Sequence, residues 1–128
     1  MFDHVSLVVS DYARSKAFYL AALAPTGHSR LVELGGMAEG HAVSAGFCHA
    51  DGSDLWISQG EPLKPPLHIA FRVPTRAAVD AFHEAALAAG GTDNGAPGLR
   101  PRYHANYYGA YVLDPDGHNI EAVCHEAE

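Results

Sequence analysis

Cysteine is scarce in this chain of 128 residues, which has only Cys48 and Cys124. A chain long enough to bury a core of its own rarely needs a disulfide. The opening run FDHVSLVV reads as a strand rather than a secretory leader, so a reduced, cytoplasmic protein is expected. Basic residues are also few, 8 Lys and Arg against 15 Asp and Glu, for a formal net charge of -7. That balance argues against non-specific nucleic-acid binding and against docking on an anionic membrane. Long apolar runs are absent, and none approaches the roughly 18 residues of a bilayer-spanning helix. Charged residues are 18% of the chain against 48% hydrophobic, the balance of a globular domain. One residue type is abundant: nine histidines raise the expectation of metal or acid–base chemistry.

Periodicity organises the chain. FDHVSLVVS alternates, with His4, Ser6 and Val8 on one face and Val5, Leu7 and Val9 on the other. The next segment, DYARSKAFYLAALAPTG, has Asp11 as N-cap and apolar residues at helical spacing, and Pro25 and Gly27 end it. Strands are expected at about 29–35, 41–49 and 54–59.

A shift of 64 positions superposes the second half on the first. His4 falls on His68, Val9 on Val73, Phe18 on Phe82 and Gly27 on Gly91. Thr75 becomes the N-cap of a second helix that Gly90 and Gly91 stop. Strands then follow at about 107–113 and 118–125, joined by Asp114-Pro115-Asp116-Gly117, a turn with Pro and Gly at suitable places. The reading is α+β: two strand–helix–strand–strand–strand modules, about 1–62 and 63–128. The aliphatic face of each first strand belongs to its helix. The opposite face carries His4 and Ser6 in one module and His68, Ala70 and Arg72 in the other. Glu121 stands in an apolar strand, where a carboxylate is costly to bury without a compensating partner.

His4 in DHVSLVVSD, His68 in LHIAFRV and Glu121 in DPDGHNIEAV resemble the vicinal oxygen chelate superfamily of glyoxalase I, bleomycin-resistance proteins, extradiol dioxygenases and fosfomycin-resistance thiol transferases. The resemblance covers residues 2 to 125. It implies two paired βαβββ modules forming a cup-shaped mixed sheet, and a homodimer whose cups lie within one chain or across two. It also implies one divalent metal on His4, His68 and Glu121. Two imidazoles and one carboxylate suit Fe, Mn, Zn, Co or Ni and leave positions open for substrate. The turn Asp51-Gly52 corresponds to Asp116-Gly117, which carries Glu121 back to Trp56, where glyoxalase I-like members have a glutamate. A four-ligand glyoxalase I site is therefore not expected.

Around this centre, Ser6, Trp56, Ser58 and Tyr107 are expected on the cavity face as substrate contacts. Tyr111 is the candidate catalytic residue, a phenol on the strand before DPDG. Residues 95 to 106 read as a Gly/Pro-bearing loop that brings Arg102 and His104 to the rim. Arg72 is expected in a rim salt bridge. His28, His41, His83 and His118 are expected in solvent. The pairs Cys48-His49 and Cys124-His125 are read as structural, because neighbours on a strand point to opposite faces. Two functions from different classes fit. One is a metal-dependent lyase, dioxygenase or thiol transferase acting on a small oxygen-rich substrate. The other is a metal-free module that sequesters a drug or planar ligand.

Overall fold

The computed structural model describes residues 2–35, 43–50 and 52–128. In the first module, β1 (Val5–Val9) leads into α1 (Tyr12–Leu23), a 3-10 turn (Ala24–Thr26), β2 (Arg30–Leu34), β3 (Ser44–His49) and β4 (Gly52–Gln59). The second repeats the order as β5 (His68–Arg72), α2 (Arg76–Ala88), β6 (Thr92–Leu99), β7 (Tyr108–Leu113) and β8 (Asn119–Cys124). Each module is an open four-stranded sheet, ordered β1-β4-β3-β2 and β5-β8-β7-β6. The first strand lies parallel to the last and the remaining pairs are antiparallel. The α+β class read from the sequence stands.

Both helices start where their caps predict. Asp11 is extended and its carboxylate accepts the Arg14 N–H at 3.1 Å; Thr75 does the same for Ala78 at 3.1 Å. Each cap satisfies one of the donors a helix start leaves unpaired. Gly27 closes the 3-10 turn after α1 at φ 93°, a conformation costly for a residue with a Cβ.

The sequence repeat survives as strand register. Ser6 pairs with Trp56 across β1–β4, and Ala70 pairs with Glu121 across β5–β8. Trp56 thus holds in the first module the place Glu121 holds in the second.

Leu7 and Val9 of β1, Phe18 and Tyr19 of α1, and Phe47 and Ile57 share one buried core with Val79, Phe82, Val112 and Ile120. Burying side chains of this size is worth about 1.5–3 kcal/mol each. The two helices pack on each other while each also covers its own sheet. Contact between modules is close at Gly91, where an added Cβ would lie 2.4 Å from Val112 and 2.7 Å from Phe18. The helix-covered faces therefore meet in the middle of the chain. The other faces carry the exposed residues Ser6, His68, Ala70 and Arg72.

Four expectations need correction. Residues 95–99, expected in the loop of 95–106, belong to β6, so the connection to β7 is shorter than expected. Gly95, Pro97 and Gly98 are tolerated because β6 is the outermost strand and its pairing to β7 shifts register twice. His28 is buried: its Nδ1 meets Thr26 Oγ1 at 2.9 Å and its Nε2 meets Asp54 at 2.7 Å. His118 is buried too, and its Nδ1 accepts the Leu67 N–H at 2.9 Å. His83 is half-buried against Asp93, 3.0 Å away. His41 lies outside the described residues.

Candidate metal centre

Glu121 sits on β8 with 2% of its side chain exposed. Its two oxygens have different partners. Oε1 accepts a short hydrogen bond from the Tyr107 hydroxyl. Oε2 lies 3.0 Å from Nε2 of His68, whose side chain is 49% exposed. The strands bring these atoms together for a simple reason. β5 and β8 are parallel neighbours, and the exposed alternation of β5 puts His68 on the face that Glu121 occupies on β8.

The hydrogen bonding of His68 sets its tautomer. Nδ1 lies 3.1 Å from the Asn119 carbonyl oxygen, which can only accept, so Nδ1 carries a proton. In the neutral ring, Nε2 then presents a lone pair to a carboxylate oxygen. Two acceptors facing each other call for a proton or a cation between them. The spacing fits a cation. Bonds of about 2.0–2.2 Å to two ligands at roughly a right angle separate the ligand atoms by about 3 Å. A histidine whose second nitrogen donates to a backbone carbonyl is the usual arrangement around a metal ligand.

His4 is not part of this pair. It lies just before β1, exposed, with Nδ1 2.5 Å from Asp3. Among the described residues, no group of three or more His, Cys, Asp or Glu side chains is poised for one metal within a chain.

Tyr111 pairs directly with Glu121 across β7–β8. A turn confined to residues 114–117 would set Tyr111 opposite Ile120 instead. The turn is one residue longer at its base, since the Asp114 N–H bonds the His118 carbonyl at 2.9 Å. The Arg100 guanidinium lies 5.5 Å over the Tyr111 ring. Burial, then the Glu121 charge, raises the Tyr111 phenol. Burial, then the hydrogen bond to Glu121, raises that of Tyr107 further. Both phenols remain protonated at neutral pH and act as donors. Gly109 makes room for this arrangement, because an added Cβ would stand 3.1 Å from Glu121 Oε1 and 3.3 Å from the Tyr107 ring. A glycine inside a strand between tyrosines, as in Tyr107-Tyr108-Gly109-Ala110-Tyr111, is the sequence signal for such close approach. The role of the Asn119 carbonyl has no side-chain signal at all.

Trp56 is half-buried on the first sheet, and its indole lies flat on Gly46, its β3 partner, where a Cβ would come within 2.9 Å of the ring. Ser6 and Ser58 flank it on β1 and β4, exposed and half-buried. Tyr107 is enclosed by Tyr103, His104 and His125, with ring centroids 4.8, 5.5 and 5.2 Å away. Arg102 is exposed and bonds the Tyr103 hydroxyl at 3.1 Å. His104 Nε2 meets His125 Nδ1 at 2.8 Å. Arg72 pairs with Glu126 at 3.6 Å, as expected. A cleft of about 620 Å³ opens along β5 toward the base of the first sheet, between His28, His49, Asp54, His68 and Phe71. It meets the candidate centre only at His68.

Residues 1–122 match the family model described as the Glyoxalase/Bleomycin resistance protein/Dioxygenase superfamily. A glyoxalase/bleomycin resistance protein from Albidiferax ferrireducens T118 is 31% identical, with 97% of this chain and 98% of that chain covered and a TM-score of 0.76. A glyoxylase/bleomycin resistance protein/dioxygenase domain from Frankia sp. EAN1pec is 20% identical, with 98% of each chain covered and a TM-score of 0.73. The fosfomycin resistance protein FosX from Listeria monocytogenes, in its hexagonal form, is 21% identical, with 98% of this chain and 93% of that chain covered and a TM-score of 0.71. The last two establish likeness of fold alone. A search of curated proteins finds no match.

Proposed function

This chain belongs to the glyoxalase/bleomycin resistance/dioxygenase superfamily, and from that premise we propose a metal-dependent enzyme whose centre is assembled from two copies. His68 and Glu121 come from one copy and His4 from the other. The observation that carries the metal is the 3.0 Å approach of His68 Nε2 to Glu121 Oε2, with Nδ1 held by Asn119. A divalent ion bound there supplies a Lewis acid for neighbouring oxygens of a small substrate.

The second copy follows from topology. The helices occupy the middle of the chain, so the face of His4 and the face of His68 and Glu121 turn away from each other. β1 and β5 are end strands of their sheets. Leu67, Val73 and Val9 bond inward, to Asn119, Val123 and Gly60. By the alternation of a parallel ladder, the amides of Ser6 and Val8, and of His68, Ala70 and Arg72, then face the free edges. Strand edges that are unpaired among the described residues call for a cover. Setting β1 of one copy beside β5 of another supplies it and places His4 opposite its repeat equivalent, His68.

The remaining residues bind and orient. Trp56 offers a flat apolar wall, and Ser6 and Ser58 offer hydroxyls. Tyr111 donates a hydrogen bond to a substrate oxygen beside Glu121. Arg102 stands at the rim for an anionic group, while both nitrogens of His104 are taken up by His125 and the Asn106 N–H. The reaction is a lyase, dioxygenase or thiol-transfer step on an oxygen-rich molecule. A second reading, a metal-free cup that sequesters a planar ligand, is favoured by the meeting of only two of the three candidate ligands within a chain and by the half-exposed face of Trp56.

Metal analysis of protein purified without chelators separates the two. Wild type should retain close to one ion per chain, and His68→Ala and Glu121→Ala should lose it. Mixing His4→Ala with His68→Ala chains should restore metal to one site per mixed dimer. No metal in wild type, or equal metal in the variants, refutes the enzyme reading. No restoration on mixing refutes the shared site.

A further inference from the structure

We propose that Tyr107 is a positioning residue for the candidate metal ligand Glu121, reserving Oε1 so that only Oε2 is presented beside His68. The inference rests on the metal reading above and adds a residue whose effect is measured separately. The carboxylate could turn either oxygen, or both, toward a cation. One side is already engaged: the Tyr107 hydroxyl donates to Oε1, while Oε2 is the atom 3.0 Å from His68 Nε2. Glu121 is buried, so water does not compete for Oε1 as it would at the surface.

The phenol is itself fixed. Tyr103, His104 and His125 surround its ring on three sides, and His104 is tied to His125 at 2.8 Å and to the Asn106 N–H at 3.1 Å. The segment before β7 and the end of β8 thereby hold one hydroxyl against one carboxylate oxygen. A hydrogen-bond partner that orients a metal ligand typically governs about 10–100-fold in metal affinity.

The test is Co(II) binding to the full-length protein, read as affinity by chelator competition and as the visible Co(II) spectrum. Tyr107→Phe keeps the ring in its cage and removes only the donor. It should weaken Co(II) binding by about tenfold or more and change the spectrum, because both oxygens of Glu121 become available. Tyr108→Phe is the control: it removes the neighbouring hydroxyl, which bonds Asp80 at 2.8 Å on the helix side, and its Co(II) affinity and spectrum should match wild type. A purely structural role for Tyr107 would lower the melting temperature of Tyr107→Phe and leave its spectrum alone. An unchanged spectrum in Tyr107→Phe, with Co(II) still lost in Glu121→Ala, overturns this inference and leaves the metal reading standing. Absence of Co(II) binding in wild type overturns both.

Discussion

Replacing Asp114 with Ala should be among the most damaging single changes outside the apolar core. The residue is 5% exposed. Its Oδ1 accepts the N–H groups of Asp116 and His118 at 2.9 and 2.8 Å, and its Oδ2 accepts the Tyr19 hydroxyl at 2.5 Å. It therefore holds the turn into β8 and ties that turn to α1 of the other module. Hydrogen bonds to a charged group are worth about 1.5–3 kcal/mol each. The turn amides recover part of that from water, but Tyr19 is fully buried and its hydroxyl does not. A loss of about 3–5 kcal/mol follows, a large share of the 5–15 kcal/mol that stabilises an ordinary domain. Tyr19→Phe removes one bond and leaves Oδ2 unpaired, costing about 1–3 kcal/mol. Urea unfolding at fixed protein concentration measures both. The double variant should cost less than the sum, with a coupling of at least about 1 kcal/mol between residues in direct contact. A cost below 1 kcal/mol for Asp114→Ala, or no coupling to Tyr19, would refute the view that this turn clamps the two modules.

Three further outcomes are expected. Trp56→Glu should slow metal loss to a chelator, because it places a carboxylate at the repeat equivalent of Glu121; the parent should turn over the glutathione hemithioacetal of methylglyoxal poorly, and brisk turnover would count against a site lacking the fourth ligand. Gly46→Val should lift the single Trp off the sheet at a cost of about 1–3 kcal/mol, seen as a shift in tryptophan emission, and unchanged emission would contradict the flat stacking. Tyr111→Phe should leave metal content as it is while weakening ligand binding or turnover, and a variant equal to the parent in every ligand assay would remove Tyr111 from the chemistry.

Much of this arrangement was legible because a strand sorts its residues by parity. Val5, Leu7 and Val9 go to the helix side and His68, Ala70 and Arg72 to the other, as alternation requires. The offset that carries Glu121 onto Trp56 reappears as equivalent register in the two sheets. The failures have physical causes. β6 was hidden by Asn94-Gly95-Ala96-Pro97-Gly98, a composition that an outermost strand with a shifting register accepts and an inner strand would not. His28 and His118 were misread because burial of a histidine depends on partners brought by the fold, Asp54 in one case and the Leu67 amide in the other. Tyr111 faces Glu121 rather than Ile120 because a side chain, Asp114, decides how far the turn extends.

Which faces oppose each other depends on the packing of whole modules, and parity carries no information about that. The two helices could have been placed outside a closed cup within one chain. Instead they meet, and Phe18 approaches so near Gly91 that only glycine fits there. Ser10 adds a second tie, its N–H reaching Asp116 at 3.1 Å, beside the Tyr19–Asp114 bond. These contacts commit the shared core to the helices and leave both histidine faces outward. On the proposed pairing, each cup then joins one half bearing His4 and Trp56 to one half bearing His68 and Glu121. The asymmetry matters for chemistry. Two neutral imidazoles and one carboxylate leave a divalent centre with net positive charge, and the position that would bring a second carboxylate is an indole instead. A cup built this way favours a substrate that brings its own negative oxygen and a flat apolar surface to rest on Trp56.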